Sequence, residues 1–403
     1  VISIFKGLFK KRGLEKKWVV NIHSPIVTPP VLNQDQILLG TKDGKLYSVD
    51  YSGKINWIYE IKDDFEKVQK MFLEPGTTKS IFSTPLIADI NNDGKNEIIF
   101  GSNNSLLYCL SEEGKFLWKF KTNGAVTAQA FVHDVNKDGK LNVLIGSKDG
   151  IFYILDSKGW NLKRFKVNSP IECQANVLGD QILFGANDGM FYSVNFDGSL
   201  NWKFKTQGQI LSQCSVGKID GEREYIVFGS SDKNLYVLNE KGDLHWNYET
   251  NGRILGKAIL KDINNDGKLN IFFGSCDDNV YALNYEGKKL WSYQTNFWVL
   301  DEPKLVDINK DNKFELIVGS YDGEIFVLDA EGDFTPDYVP GLSSIVNQSG
   351  HYSDLITHNV GQFHGKEIFK CGVNGMIIGS NIKNQNIFVS TNTGEINNLK
   401  WGE

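Results

Sequence analysis

One unit recurs along this chain. It reads Gly-Ser, a short polar turn, Tyr seven residues after the glycine, a second turn closing on Gly six residues later, and Trp four beyond that. It is complete in Gly101-Ser102, Tyr108, Gly114 and Trp118, again from Gly229 through Tyr236 and Gly242 to Trp246, and again from Gly274 through Tyr281 and Gly287 to Trp291. With the first glycine as marker, copies begin at Gly40, Gly101, Gly146, Gly185, Gly229, Gly274, Gly319 and Gly379. A period of about 45 residues means a supersecondary unit that cannot bury its own face and must stack on copies of itself. The first and last intervals are longer and read as repeats carrying insertions, Lys62–Lys79 and Asp333–Asp354, both placed in the connection between one unit and the next.

Within a unit, four short runs alternate with turn signals, as in Pro85–Ala88, Glu97–Gly101, Leu106–Leu110 and Phe116–Lys121. Ile98-Ile99-Phe100 is continuously apolar, which suits a strand covered on both faces, whereas Phe116–Lys121 alternates, which suits a strand wet on one side. That gradient describes an antiparallel meander with a buried inner edge, and eight of them describe an all-β, eight-bladed β-propeller of four-stranded antiparallel blades. The expected domain is residues 18–403. Length alone, at 403 residues, would suggest several domains, but the repeat overrides that prior. The recurring Trp57, Trp118, Trp202, Trp246 and Trp291 are placed to pack between neighbouring blades. Lys163 and Pro336 stand at the same position in the third and seventh copies, so those outer strands are expected to be the least regular. Trp18–Ile22 has the pattern of an outer strand with no inner strands before it, which would close the last blade and remove two exposed sheet edges. Glu395–Trp401 has the same pattern and competes for that slot.

Composition narrows the partners. A net charge of -6 with lysines spread over every repeat offers no clustered basic surface, so nucleic acid is not an expected partner. Cys109, Cys173, Cys214, Cys276 and Cys371 are odd in number and lack metal-binding spacing, so they read as free thiols and favour a reducing compartment. No run reaches the length of a membrane span and no signal peptide is visible. The sequence opens on Val1, from which an upstream domain or a processed leader is expected. Residues 1–17 are basic and amphipathic, with Ile2, Phe5, Leu8 and Phe9 on one helical face and Lys6, Lys10, Lys11 and Arg12 around it. They read as a linker or docking segment and as the one stretch suited to membrane contact.

Four units carry Asp-x-Asn-x-Asp-Gly/Asn between first and second strands: Asp89-Asn91-Asp93, Asp134-Asn136-Asp138, Asp262-Asn264-Asp266 and Asp307-Asn309-Asp311. Alternate oxygen-bearing side chains on a tight loop can converge on a hard cation. The same residues also make metal-free Asx turns. The chain resembles two known groups at these points. Gly53-Lys54-Ile55-Asn56-Trp57 and the Leu-Tyr-x-Val pattern before it are similar to the tryptophan-docking repeats of quinoprotein-like eight-bladed propellers. The acidic segments resemble the calcium loops of FG-GAP (integrin-type) repeats. That second resemblance implies structural Ca²⁺ and a ninth-position ligand, here Glu97 and Glu315 in the first and fourth loops, which are expected to bind more tightly than the middle two with Asn142 and Asn270. Calcium loops of this kind favour an extracytoplasmic setting, against the cysteines, and localisation stays open between the two.

Function is sought where copies depart from pattern. The first strands should line the central channel, placing Thr84, Gln129, Gln174, Gln213, Lys257 and Glu302 in a ring at its mouth. Such a ring is either a solvated channel or a site for a small polar ligand or peptide. The plain turns Asn123-Gly124, Asn168-Ser169, Gln207-Gly208 and Asn251-Gly252 give way to Asn296-Phe297-Trp298, and bulky rings in place of turn residues suggest contact with a loop or a partner. No adjacent cysteines, converging acid–base set or zinc spacing among His351, His358 and His364 can be identified, so no catalytic residue and no PQQ cofactor are expected. The reading is a non-catalytic recognition or scaffolding propeller with a protein partner. A glycan-binding or glycan-active propeller is the alternative, since Phe297 and Trp298 could stack on a sugar, and a quinoprotein-type oxidoreductase comes third.

Overall fold

The computed structural model describes residues 13–62, 78–335 and 362–402 of the chain. Among the described residues thirty-two strands form eight four-stranded sheets, and every described pairing between them is antiparallel. Blade 1 runs from Val31–Leu32 to Ile55–Glu60, blade 2 from Leu86–Ala88 to Phe116–Lys121, blade 3 from Phe131–His133 to Asn161–Lys166 and blade 4 from Asn176–Leu178 to Leu200–Lys205. Blade 5 runs from Ser215–Gly217 to Leu244–Glu249, blade 6 from Ile259–Lys261 to Lys289–Gln294 and blade 7 from Lys304–Val306 to Gln362–Gly372. Blade 8 is composite: Ile377–Lys383, Asn386–Thr391 and Glu395–Trp401 are completed by the amino-terminal Leu14–Asn21. Among the described residues there is no helix, and hence none long and apolar enough to cross a membrane.

Burial follows the pattern along each blade. Second strands such as Glu97–Gly101 are buried throughout, whereas outer strands such as Phe116–Lys121 alternate between exposed and half-buried. The apolar side chains collect between blades rather than within them. Leu38 and Leu46 of blade 1 pack with Ile98 and Phe100 of blade 2, and Phe191 of blade 4 stacks on Phe228 of blade 5 with ring centroids 4.3 Å apart. A blade removed from the ring would therefore expose both of its faces, at a cost of about 2 kcal/mol for each fully buried large apolar side chain.

The repeated Tyr and Trp are inter-blade fasteners. Tyr236 donates its hydroxyl to Asp232 in the turn between second and third strands, and the same carboxylate accepts the Gln207 N–H from the loop leaving the previous blade. Tyr281 and Tyr153 repeat the contact on Asp277 and Asp149. The indole N–H of Trp118 donates to the Ser157 carbonyl of the next blade at 3.0 Å. Trp18, Trp202, Trp246 and Trp291 do the same to Tyr51, Glu240, Tyr285 and Ala330.

Several positions differ from the sequence expectation. Glu395–Trp401 is the third strand of blade 8 and Leu14–Asn21 the outer one, pairing from Leu14 opposite Trp401 to Asn21 opposite Glu395. The two segments look alike because each carries a Trp among alternating residues, but only the first follows a turn that links it back to its own blade. Leu14–Lys17, basic enough to be grouped with the leader, is the start of this outer strand, where exposed lysines are tolerated; residues 1–12 lie outside the described residues. Gly379 lies in the first strand of blade 8. Ser390, opposite Ile396 as Gly101 is opposite Leu107, occupies the marker position. Asn161–Lys166, despite Lys163, pairs with the same one-residue bulge as its counterparts, because the ladder is made by backbone and a lysine on the wet side leaves it intact. Glu324–Thr335 continues through Gly332, which reads as a turn glycine, and pairs with Gln362–Gly372. The Asp333–Asp354 insertion therefore separates the third and fourth strands of one blade, whereas Lys62–Lys79 joins two blades. Pro336, His351 and His358 lie outside the described residues.

Candidate functional site

First strands surround the propeller axis, so residues at their entrances converge although they are about 45 positions apart in sequence. Thr84, Gln129, Gln174, Gln213, Lys257 and Glu302 line one cavity of 400 Å³. The three glutamines also have structural partners. Gln174 donates to the Ala130 carbonyl at 2.9 Å, and Gln129 and Gln213 reach Pro85 and Ala175 at 3.4 and 3.5 Å, each lacing its blade to the one before.

Charge at the mouth is paired. The Glu302 carboxylate sits 3.3 Å from the Lys257 ammonium and also binds Lys304. Burial works to raise its pKa, yet the two lysines hold it below the ordinary value. Next to it, burial raises the pKa of Asp301, whose carboxylate accepts the Ser380 N–H at 2.8 Å. Across the cavity Glu172 accepts from Lys148, Asn187 and Thr127 at 2.8, 2.7 and 3.1 Å. Burial opposes its ionisation, and these three donors outweigh burial and hold the carboxyl below its ordinary value. Sequence reasoning missed Glu172, Asp301 and Lys304. Lys304 had a signal, since Leu86, Phe131 and Ile259 stand at the matching place in other first strands. Leu211, Leu255 and Leu300 of three successive blade entrances also line the cavity.

Phe297 and Trp298 do not line that cavity; they lie beside it. Three other copies have a glycine here, where a Cβ at Gly124, Gly208 or Gly252 would come within 2.4 Å of the next blade's turn backbone, and a fourth has the small Ser169. Phe297 stands at that place. It forms a three-ring group with Trp298 and with Tyr321 of the blade 7 turn, where Tyr321 lies 19° from the plane of Phe297 and 24° from that of Trp298. Ring centroids are 5.1 to 6.2 Å apart. Phe297 and Trp298 are 40% and 43% exposed, unusual for rings of this size. Tyr321 was legible in retrospect, since Lys148, Asn187, Ser231 and Cys276 hold its place in the preceding blades.

The four acidic loops share one geometry. Asp89, Asp134, Asp262 and Asp307 each accept two backbone N–H groups, from Asp93 and Gly94, Asp138 and Gly139, Asp266 and Gly267, and Asp311 and Asn312. Asp93, Asp138, Asp266 and Asp311 each cap the N–H two residues on. The buried ninth residue folds back: Glu97 accepts from the Ile90 N–H and from Asn91, Glu315 from Ile308 and Asn309, and Asn142 and Asn270 accept from Val135 and Ile263. These are Asx-turn bonds, and the donor set is oxygen-only. Asn136 and Asn264 hold the third position in the middle loops. Among the described residues no group of three His, Cys, Asp or Glu side chains is gathered closely enough to hold a metal. Burial disfavours the thiolate form, pushing Cys173 up to about 12 and Cys371 up to about 11.

Comparison with known proteins places this geometry. The family model described as the lambda-carrageenase beta-propeller domain matches residues 84–128, 175–251 and 238–339, more than half of the chain. The chain belongs to the lambda-carrageenase beta-propeller domain family. Solved structures extend the likeness in fold to nearly the whole length of this family member. The crystal structure of BamB from Moraxella catarrhalis is 16% identical with a TM-score of 0.67, covering 97% of this chain and 98% of that one. The computationally designed Ika8 protein is 14% identical with a TM-score of 0.68, covering 95% and 98%. BBS1N, solved in complex with ARL6DN, is 12% identical with a TM-score of 0.54, covering 79% and 92%. At such identities the likeness is one of fold. No curated protein matches the sequence.

Proposed function

We propose that this propeller is a non-catalytic recognition domain that binds a polysaccharide on the face carrying the channel mouth. The observation behind the reading is the exposed Phe297, Trp298 and Tyr321 group beside a polar cavity. Flat rings stack on the C–H faces of sugars while neighbouring amides and charges take hydroxyls, the usual division of labour in a ligand site. Family membership supports the same ligand class, since the family is described by the name of a lambda-carrageenase. The non-catalytic part rests on Glu172 and Glu302, whose carboxylates are each taken up by neighbouring side-chain donors rather than presented to a substrate. No quinone cofactor enters this reading.

Affinity electrophoresis and calorimetry with λ-carrageenan test it. The protein binds, and the Phe297→Ala/Trp298→Ala variant keeps its melting temperature while losing about tenfold or more in affinity, as expected for removal of stacked rings. Absence of binding by the parent protein overturns the ligand class. Release of reducing ends that Asp301→Asn abolishes overturns the non-catalytic assignment.

A protein partner is the second reading. Exposed Trp and Phe are also what a protein interface anchors on, and BBS1N is a propeller solved with a bound protein. In either case the acidic loops are read as structural Ca²⁺ sites. Asp89, Asn91, Asp93 and Glu97 would hold one ion, and Asp307, Asn309, Asp311 and Glu315 another, with weaker sites at Asp134 and Asp262.

A further inference from the structure

A second chamber opens below the mouth, walled by blades 6, 7 and 8. It measures 490 Å³ and shares Glu302, Lys304 and Asn381 with the upper cavity, so the Glu302–Lys304 pair separates the two. Ile259, Leu305, Val306, Phe314 and Ile382 supply its apolar wall. Lys261, Lys304 and Lys383 set three positive charges against the single carboxylate of Glu302.

These lysines are departures from the repeat. The places of Lys261 and Lys304 are taken by Ala88 and Leu86 in blade 2 and by Leu178 and Asn176 in blade 4, so propeller closure does not call for a cation at either. Their commitments differ. Lys304 is paired with Glu302. Lys383 spends its three protons on the Asn33 and Gln34 carbonyls and the Tyr51 hydroxyl. Lys261 has its ammonium 4.8 Å from the centre of the Phe314 ring, and among the described residues no carboxylate lies in ion-pair distance of it. The neighbouring acidic loops do not supply one, because Asp262 and Asp307 are turned onto their own backbone N–H groups and neither lines the chamber.

We propose that this chamber binds a small organic monoanion, its apolar body against Phe314, Leu305 and Ile382 and its carboxylate or sulfonate head at Lys261. The volume is that of a site for a drug-sized molecule. Lys261 is itself exposed, so an anion reaches its ammonium directly for a charge-assisted contact, and the Phe314 ring beside it offers an apolar surface for the ligand's body. The site adjoins the channel mouth through Glu302, Lys304 and Asn381, but its assignment does not depend on the polysaccharide reading.

Naphthalene-2-carboxylate, titrated by calorimetry and by its own fluorescence, is the probe, with neutral naphthalene-2-carboxamide as control. The carboxylate binds saturably, the amide binds about tenfold or more weakly, and Lys261→Met, which keeps the stem and removes the charge, reduces carboxylate affinity by a similar factor. Trp298→Ala leaves this binding unchanged, which separates it from the upper face. Phe314→Leu, which keeps an apolar wall, weakens both probes. Equal binding of acid and amide, an unaffected Lys261→Met variant, or no saturable binding by a folded parent protein overturns the proposal.

Discussion

The ring of Trp118 lies on the backbone of Gly159 in the next blade. A Cβ added at Gly159 would sit 2.6 Å from that ring, and the glycine itself has φ of +80°, while the indole N–H binds the Ser157 carbonyl two residues earlier. The repeated Gly and Trp are thus two halves of one contact that always crosses a blade boundary: Gly114 faces Trp57, Gly242 faces Trp202 and Gly287 faces Trp246. Where the third copy has Lys163 instead, the facing Gly198 has only the Arg164 carbonyl within reach, at 3.9 Å.

This pairing separates strain from packing. Gly159→Ala and Gly198→Ala each force a side chain into a left-handed conformation, costing about 1 to 2 kcal/mol. Gly159→Ala adds overpacking against the indole, of about 1 to 3 kcal/mol. Urea denaturation of the two variants measures the difference, and equal losses would show that the ring moves aside freely.

Glu172 makes acid stability depend on the channel mouth. Its carboxyl is held below its ordinary value of 4.5 despite burial, so it contributes stability that is complete above that value and is lost as pH falls through the lower folded value. Glu172→Gln is therefore less stable than the parent near neutrality, and the gap narrows as pH is lowered below about 4.5. Melting temperatures measured across that range check the sign. A gap that widens toward acid would contradict it.

Asn397 is fully buried in the third strand of blade 8 with neither amide atom bonded. It stands where Tyr47 and Tyr108 stand in other copies, pairing with Val389 as Tyr47 pairs with Leu39. An unmade buried hydrogen bond costs about 1 to 3 kcal/mol, so Asn397→Leu, close in shape, raises the melting temperature. A lower melting temperature would mean that an ordered water bonds this amide in solution.

Calcium is tested by melting the protein with Ca²⁺ and with a chelator. Binding at the Asp89 and Asp307 loops raises the melting temperature by mass action, with about 2.7 kcal/mol gained at a hundredfold excess over the dissociation constant. Asp89→Asn and Asp307→Asn, made together, remove most of that response, whereas Asp134→Asn and Asp262→Asn remove little. Identical melting in both conditions leaves the loops as Asx turns alone.

By itself the sequence determined the unit and its number of strands, because a fixed spacing of Gly, Tyr and Trp with buried and alternating runs has few physical solutions. It also named the six mouth residues, since strand entrances at one period must meet at one axis. It did not determine what those residues bond to. That Glu302 reaches back to Lys257 before blade 6, that Glu172 is held by Lys148 and Thr127 of blade 3, and that Tyr321 completes the rings of Phe297 and Trp298 are contacts between neighbouring blades. The closing blade was ambiguous for the same reason. Leu14–Asn21 and Glu395–Trp401 carry similar local patterns, and only the hydrogen-bond ladder between chain ends decides which lies outside. Local propensity is written in consecutive residues, whereas register and pairing across the ring are set by partners that only the closed propeller brings together.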